Sequence, residues 1–227
     1  ASRLTNAHTI TVYDFGRTKD GLLYIAMEYL QGRSLQKKLA DTPVLSVQET
    51  VRIMSAVSKS LSEAHEHHII HRDMKPDNVF LADRLDEPEF VKVLDFGLAK
   101  VMDAEERITA QSQPDLFGTP YYMAPEQIRG ETLDGRCDLY ALGITAYELA
   151  TGLPPYDHDD HTALMRMHLE RPMPDPCSIV PDIPDDLVEF IKRCTAKRPE
   201  ERFDSAAAAA RFLAEAARVL KDGGRLI

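Results

Sequence analysis

The sequence predicts an α+β fold that is mainly helical and carries two small β-hairpins. Residues 10–30 place β-branched and aromatic residues on both sides of a Gly/Asp-containing turn at 16–21, which is a hairpin signal. Two shorter apolar runs within 79–94 flank a polar turn and predict a second hairpin. Apolar residues recur every three or four positions over 46–66, and residues 138–150 are apolar on nearly every side. These two patterns predict an amphipathic helix and a buried helix.

The remaining elements follow from local signals. Gly32 ends the first hairpin pattern, and a short helix is expected near 34–39. Ser46 and Glu49 form a capping-box pattern at the start of the amphipathic helix. Residues 99–120 have no sustained periodicity, and a loop of that length inside a compact domain is usually functional. An Ala-rich terminal helix is predicted over 204–220, before two glycines.

Composition excludes several classes of protein. The 227 residues include 27 Lys+Arg and 37 Asp+Glu, a net charge of −10, and 44% are hydrophobic. An acidic, globular composition disfavours a general nucleic-acid or anionic-membrane binder. The three cysteines lie far apart without metal-ligand spacing, so idle thiols are favoured over a disulfide or metal role.

The longest apolar stretch, 139–153, is too short to span a bilayer, and no signal peptide is visible at the start. We therefore expect no nucleic-acid partner and no membrane segment in this chain. A cytoplasmic location is expected, with any membrane anchor lying outside this sequence. The sequence begins with Ala1 rather than Met, so its first residue need not be the natural start.

Two short segments carry the residues that suggest chemistry: the run from His71 to Asn78 (HRDMKPDN), and Asp95-Phe96-Gly97. Asn78 precedes one strand of the second hairpin and Asp95 follows the other, so antiparallel pairing should place them side by side. Carboxylate and amide oxygens suit Mg²⁺, which keeps substrate phosphates among its ligands. Asp73 and Lys75 lie on the loop before the strand, where they could orient a hydroxyl and neutralise a phosphoryl group. Together these residues predict a phosphoryl-transfer site.

These segments match the patterns H-R-D-x-K-x-x-N and D-F-G, and three further motifs follow in order at 118–126, 138–143 and 199–202. On these motifs the chain resembles the protein Ser/Thr kinases, most closely the eukaryotic-like kinases of bacteria, over about residues 6–215. The resemblance implies a protein-kinase-like fold. Residues 1–30 would be a remnant of the N-terminal lobe, consisting of the end of a helix, two strands and the hinge. Residues 31–220 would form the C-terminal lobe.

The resemblance also implies roles in transfer from ATP to Ser or Thr hydroxyls of proteins. Asp73 would orient the hydroxyl and accept its proton, and Lys75 would neutralise the transferring phosphate. Asn78 and Asp95 would hold Mg²⁺. Thr119 would line the approach of the substrate hydroxyl.

Adenine binding is implied at the hinge, 27–30. Met27 would be the gatekeeper, and the Glu28 carbonyl and the Leu30 N–H would bind the base. Phe80 would form the apolar floor beneath it. Because the hinge contacts use the backbone, the side chains there carry little information.

Regulation and stability are implied at other positions. A phosphorylated activation loop would pair with Arg72, with Thr109 and Ser112 as candidate acceptors and Ser112 slightly favoured. The chain itself is therefore a potential substrate. Glu126 and Arg202 are expected to form a buried ion pair that serves folding rather than chemistry.

Several residues also have simpler structural interpretations. The histidines at 65, 67, 68 and 71 end an amphipathic helix, and a structural role is favoured over metal binding, with His71 buried beneath the catalytic loop. The place of His68 is often Gly in the family, so the local turn is expected to differ. An acidic first helical turn is favoured over a metal site at 157–161. Met27 and Met54 are interpreted as core residues.

The sequence lacks two parts of a kinase. It contains no G-x-G-x-x-G loop and no V-A-I-K lysine with a partner glutamate, and both contribute positioning. We therefore expect weak or no activity from this chain alone. Three interpretations stay open: the C-terminal lobe of a Ser/Thr kinase, a catalytically dead peptide-binding module, and another ATP/Mg²⁺ enzyme on a kinase-like fold. The intact residues Asp73, Lys75, Asn78 and Asp95 favour the first.

Overall fold

The computed structural model describes residues 4–84, 87–96 and 120–221. The predicted first hairpin is present: strands β1 (Val12–Arg17) and β2 (Leu23–Met27) pair antiparallel, with Phe15 opposite Ile25. The remnant of a preceding helix was expected near Ser2–Leu4; residues 1–3 lie outside the described residues, and Leu4 is not helical. The expected α+β class is confirmed.

The second hairpin belongs to a three-stranded antiparallel sheet. Its strands are β3 (Gly32–Ser34), β4 (Val79–Ala82) and β5 (Phe90–Val93), in the order β3-β4-β5. Gly32 lies beyond the end of the first hairpin, as expected, and it also begins β3, a strand that the sequence did not predict. Its φ of 135° and the collision that a Cβ would make with the Leu81 carbonyl oxygen explain why glycine is needed there.

Helices account for most of the remaining described chain. They are α1 (Leu35–Asp41), α2 (Val47–Glu66), α3 (Pro125–Ile128), α4 (Arg136–Thr151), α5 (His161–Glu170), α6 (Asp185–Cys194) and α7 (Ala206–Lys221). The capping box at the start of α2 is formed as predicted, with both the Ser46 and Glu49 side chains bonded across it. The acidic run at 157–160 precedes α5 instead of forming its first turn, and Asp160 is the N-cap.

The core lies between α2, α4, α6, α7 and the sheet. Helix α4 is buried on nearly all sides, as its sequence predicts, and Gly143 allows the close approach of Cys194 and Thr195. Met54 is fully buried, which confirms its predicted place in the core. Met27 is 39% exposed, so the core interpretation was wrong for it.

Strands β1 and β2 expose an unusual amount of apolar surface. Tyr13, Phe15 and Leu22 are each more than 60% exposed in the hairpin, and Tyr29 just after it is 88% exposed. The described helices and sheet leave these side chains uncovered, which is the reason that Met27 is not buried. Within residues 4–84, 87–96 and 120–221, none of the helices has the length and apolar character needed to cross a membrane.

Candidate active site

The loop His71–Asn78 joins α2 to β4, and a buried carboxylate from α4 fixes its backbone. Asp138 accepts hydrogen bonds from the main-chain N–H groups of His71 (2.9 Å) and Arg72 (2.8 Å), and it pairs with His65 Nε2 at 2.7 Å. Burial alone would raise the pKa of Asp138. The hydrogen bonds from His65 and His71 outweigh that effect, so the pKa is lowered and the group is ionised.

The interaction between Asp138 and His65 was not predicted. The sequence contains a signal for it, because Asp138 is an acidic residue in a helix that is otherwise apolar nearly all round. Such a carboxylate needs donors from other elements. His65 has the expected structural role, but it acts through Asp138 and not only through the helix dipole. His68 keeps the left-handed conformation that glycine would adopt after α2, with φ 58°.

His71 links this loop to the segment at Asp95. It is buried as predicted, and its ring stands edge-on to Phe96 with 5.0 Å between centroids. The main-chain N–H of Asp73 donates to His71 Nδ1 at 3.3 Å, which leaves the proton on Nε2, and that atom donates to the Leu94 carbonyl at 2.8 Å. The His71 side chain therefore fixes the position of the 71–78 loop relative to the segment at Asp95.

Asp73, Lys75 and Asn78 are in mutual contact. Lys75 Nζ lies 2.8 Å from Asp73 Oδ2. Asn78 Nδ2 donates to the Asp73 carbonyl at 2.6 Å and to Asp73 Oδ2 at 3.2 Å. Because the Asn78 amide nitrogen faces Asp73, its amide oxygen is directed away and is free to accept a ligand. Asp73 is about half exposed, so its carboxylate is accessible from solvent.

Asn78 and Asp95 lie at the same end of the sheet, as antiparallel pairing predicts. Val79 is opposite Val93, and the Leu94 N–H donates to the Asn78 carbonyl at 2.9 Å. Asp95 is exposed and has a φ of 59°, a left-handed conformation that is uncommon outside glycine. The oxygens of Asn78 and Asp95 have the chemistry that Mg²⁺ prefers, so the residues present fit that ion.

The predicted hinge is held by a side chain. Glu28 Oε1 accepts from Lys92 Nζ at 2.6 Å and from the Thr11 N–H at 2.8 Å, and the Glu28 N–H donates to the Thr11 carbonyl. The Glu28 side chain therefore links the predicted hinge to β5 through Lys92, while the expectation that hinge side chains say little about adenine binding stays a prediction. Phe80 is half-buried on β4, opposite Lys92.

The predicted ion pair between α3 and the segment before α7 is present. Arg202 Nη1 and Nη2 lie 2.6 and 2.8 Å from the two oxygens of Glu126, and both side chains are almost completely buried. Arg202 also donates to the carbonyls of Ala196 and Arg136. Thr119 and the candidate phosphoacceptors Thr109 and Ser112 lie outside the described residues.

Comparison with known proteins places these features in a family context. A family model described as "Protein kinase domain" matches residues 1–212. Serine/threonine-protein kinase pkn3 of Myxococcus xanthus is 43% identical over 229 residues, which cover 100% of this chain and 41% of the relative. Serine/threonine-protein kinase PrkC of Bacillus subtilis is 32% identical over 91% of this chain and 31% of its own length. The chain thus spans less than half of the curated relatives that it matches.

A solved structure shows the same fold. The crystal structure of the Mycobacterium tuberculosis PknI kinase domain superposes with a TM-score of 0.73 and 31% sequence identity. The match covers 95% of this chain and 74% of that domain.

Proposed function

The chain belongs to the protein kinase family, and on that basis we propose that it transfers the γ-phosphoryl group of ATP to Ser or Thr hydroxyls of proteins. One observation carries the proposal: His71 joins the loop of Asp73, Lys75 and Asn78 to the segment that ends at Asp95. A binding module has no need of these four residues in one cluster.

In this mechanism Asp73 orients the substrate hydroxyl and accepts its proton. The contact between Lys75 Nζ and Asp73 Oδ2 places a positive charge beside that carboxylate, where the transferring phosphoryl group would also lie. The bonds from Asn78 Nδ2 to Asp73 restrict the loop to one conformation, so little reorganisation is needed at the moment of reaction. Thr119 would line the hydroxyl's approach.

Asn78 and Asp95 would hold Mg²⁺, which supplies charge neutralisation at the phosphates when it is bound. The adenine would bind the main chain of Glu28 and Leu30, with Met27 and Phe80 as its apolar neighbours. Residues 1–30 would then belong to the small lobe and residues 31–220 to the large lobe, with the nucleotide between them.

The test uses the whole protein encoded by the gene that contains this sequence. Phosphate transfer from radiolabelled ATP to a Ser/Thr-containing protein is measured for wild type, Asp73→Asn and Asp83→Asn. Asp73→Asn should lose about 100-fold or more, the usual contribution of a positioned base. Asp83 is an exposed aspartate after β4 and serves as the matched control. Equal activity of wild type and Asp73→Asn would reject the assigned role.

Autophosphorylation is proposed at Thr109 or Ser112, with the phosphate pairing to Arg72. Phosphopeptide mass spectrometry of active protein should find phosphate on one of them. Activity in protein that is unmodified at both positions would refute this regulation, but the proposal of phosphoryl transfer from ATP would still stand.

A further inference from the structure

A groove of about 490 Å³ lies on α2, on the side that faces β5 and the end of α7. Neither the catalytic loop nor the hinge contributes to its lining. Its floor is apolar, because Val51, Ala56 and Val91 are each at most 5% exposed and face it from two elements. The volume falls in the range of about 300–1,000 Å³ typical of small-molecule sites.

The charged groups of the groove are not equivalent. The Arg52 guanidinium is already engaged, since Nη1 donates to the Glu89 carbonyl at 3.0 Å and Nη2 lies 3.8 Å from its carboxylate. The Lys59 ammonium, seven residues further along the same helix face, has no carboxylate within ion-pair distance among the residues that the structure describes. Among the residues that line the groove, Lys59 is therefore the cation that can pair with an anionic ligand.

Two further groups limit the charge of such an anion. His8 donates from Nδ1 to the Val91 carbonyl at 2.9 Å, and its pKa is lowered by burial and by the charge of Lys59, so the ring is neutral at pH 7. Glu87 also lines the groove, and no cation lies within ion-pair distance of it among the described residues. Its negative charge disfavours a ligand that carries two charges.

We propose that this groove binds an organic monoanion with an apolar body, of the acyl or aryl carboxylate class, with its head group at Lys59. The apolar body would lie along α2 over Ala56 towards Val51. Eight residues of helix separate Lys59 from Val51, a distance of roughly 12 Å along the axis, which suits an extended medium-length chain. The proposal does not depend on kinase activity, because the binding is measured without nucleotide.

The experiment is isothermal titration calorimetry of the full chain with three probes of equal chain length: octanoate, octyl phosphate and octylamine. Octanoate should bind saturably, octyl phosphate more weakly because Glu87 repels its second charge, and octylamine more weakly than octanoate because Lys59 repels its ammonium group. Equal binding of octylamine and octanoate, or no saturable binding of octanoate, would overturn the proposal.

Variants locate the site. Lys59→Gln should weaken octanoate about three- to fivefold, the effect of losing one exposed ion pair. Lys37→Gln removes an exposed lysine on α1, outside the groove, and should change nothing. Ser55→Phe fills the groove from a half-buried position and should abolish binding. Thermal melts without ligand check that each variant is folded. Unchanged octanoate affinity in a folded Lys59→Gln or Ser55→Phe variant would show that the groove is not the site.

Discussion

Replacing Arg202 by Leu tests the structural role of its ion pair with Glu126. The Arg202 side chain has no exposed surface and the Glu126 side chain is 4% exposed. Removing the guanidinium leaves a buried carboxylate without a counter-charge, which costs about 3–5 kcal/mol. The carbonyls of Ala196 and Arg136 also lose their donor, so we expect the upper part of that range. Domains of this kind have about 5–15 kcal/mol of stability in total, so the loss is a large fraction of it.

The assay is urea unfolding followed by circular dichroism at pH 7. Glu126→Gln should be less destabilising, because its amide oxygen can still accept one of the two Arg202 hydrogen bonds. We expect it to lower the free energy of unfolding by about 2–3 kcal/mol. Arg218→Leu is the matched control: it breaks an arginine–glutamate pair with Glu215 in which the side chains are 71% and 63% exposed. That variant should change the free energy of unfolding by less than about 1 kcal/mol. A loss below about 1 kcal/mol for Arg202→Leu, with an unchanged denaturant slope, would refute the reasoning.

Three further predictions concern conformation and pH. His68→Gly should stabilise the chain by up to about 1 kcal/mol in the same urea assay, because φ is 58° there; His67→Gly, at φ −89°, should destabilise it instead. Burial and the charge of Asp77 raise the pKa of Glu148, although a 2.6 Å bond from the Tyr122 hydroxyl opposes this. A carboxyl group whose pKa is raised by folding contributes stability that is lost as the pH rises through that folded-state pKa, so Glu148→Gln should gain stability relative to wild type as the pH rises above about 4. The lowered pKa of Asp138 has the opposite effect on stability. Asp138→Asn should lower the free energy of unfolding by about 1.5–3 kcal/mol at pH 7. This difference should shrink as the pH falls below about 4. Urea midpoints measured across pH test both, and parallel pH curves for wild type and variant would contradict them.

Elements with strong local signals were predictable from the sequence. Helix α2 begins where the Ser46–Glu49 capping box indicates and ends at Glu66, because the cap and the helical period both act within a few residues. The proximity of Asn78 to Asp95 was also predictable, since it follows from antiparallel pairing of adjacent strands. These features depend on short-range geometry alone.

Features that depend on distant partners were not predictable. Strand β3 has three residues, too few for a pattern, and it exists because β4 offers it hydrogen bonds. Met27 would be buried only if another element packed on the first hairpin, and the apolar character of Met27 does not show whether one does. The pairing of His65 with Asp138 joins residues 73 positions apart, so the sequence indicates that Asp138 needs donors but not that His65 is one of them.

The same long-range contacts explain how the proposed site keeps an unfavourable backbone. Arg72 and Asp95 have φ values of 68° and 59°, and each such residue costs about 1–2 kcal/mol. Asp138 offsets the first by accepting the N–H groups of His71 and Arg72 from α4. The His71–Leu94 bond and the Leu94–Asn78 bond hold the residue immediately before Asp95. The conformations are therefore stabilised by residues that cannot reach a substrate, which makes Asp138 and His71 positioning residues. Their loss should relax Arg72 and Asp95 towards ordinary φ values and move the proposed Mg²⁺ ligands apart, even though no ligand has been replaced.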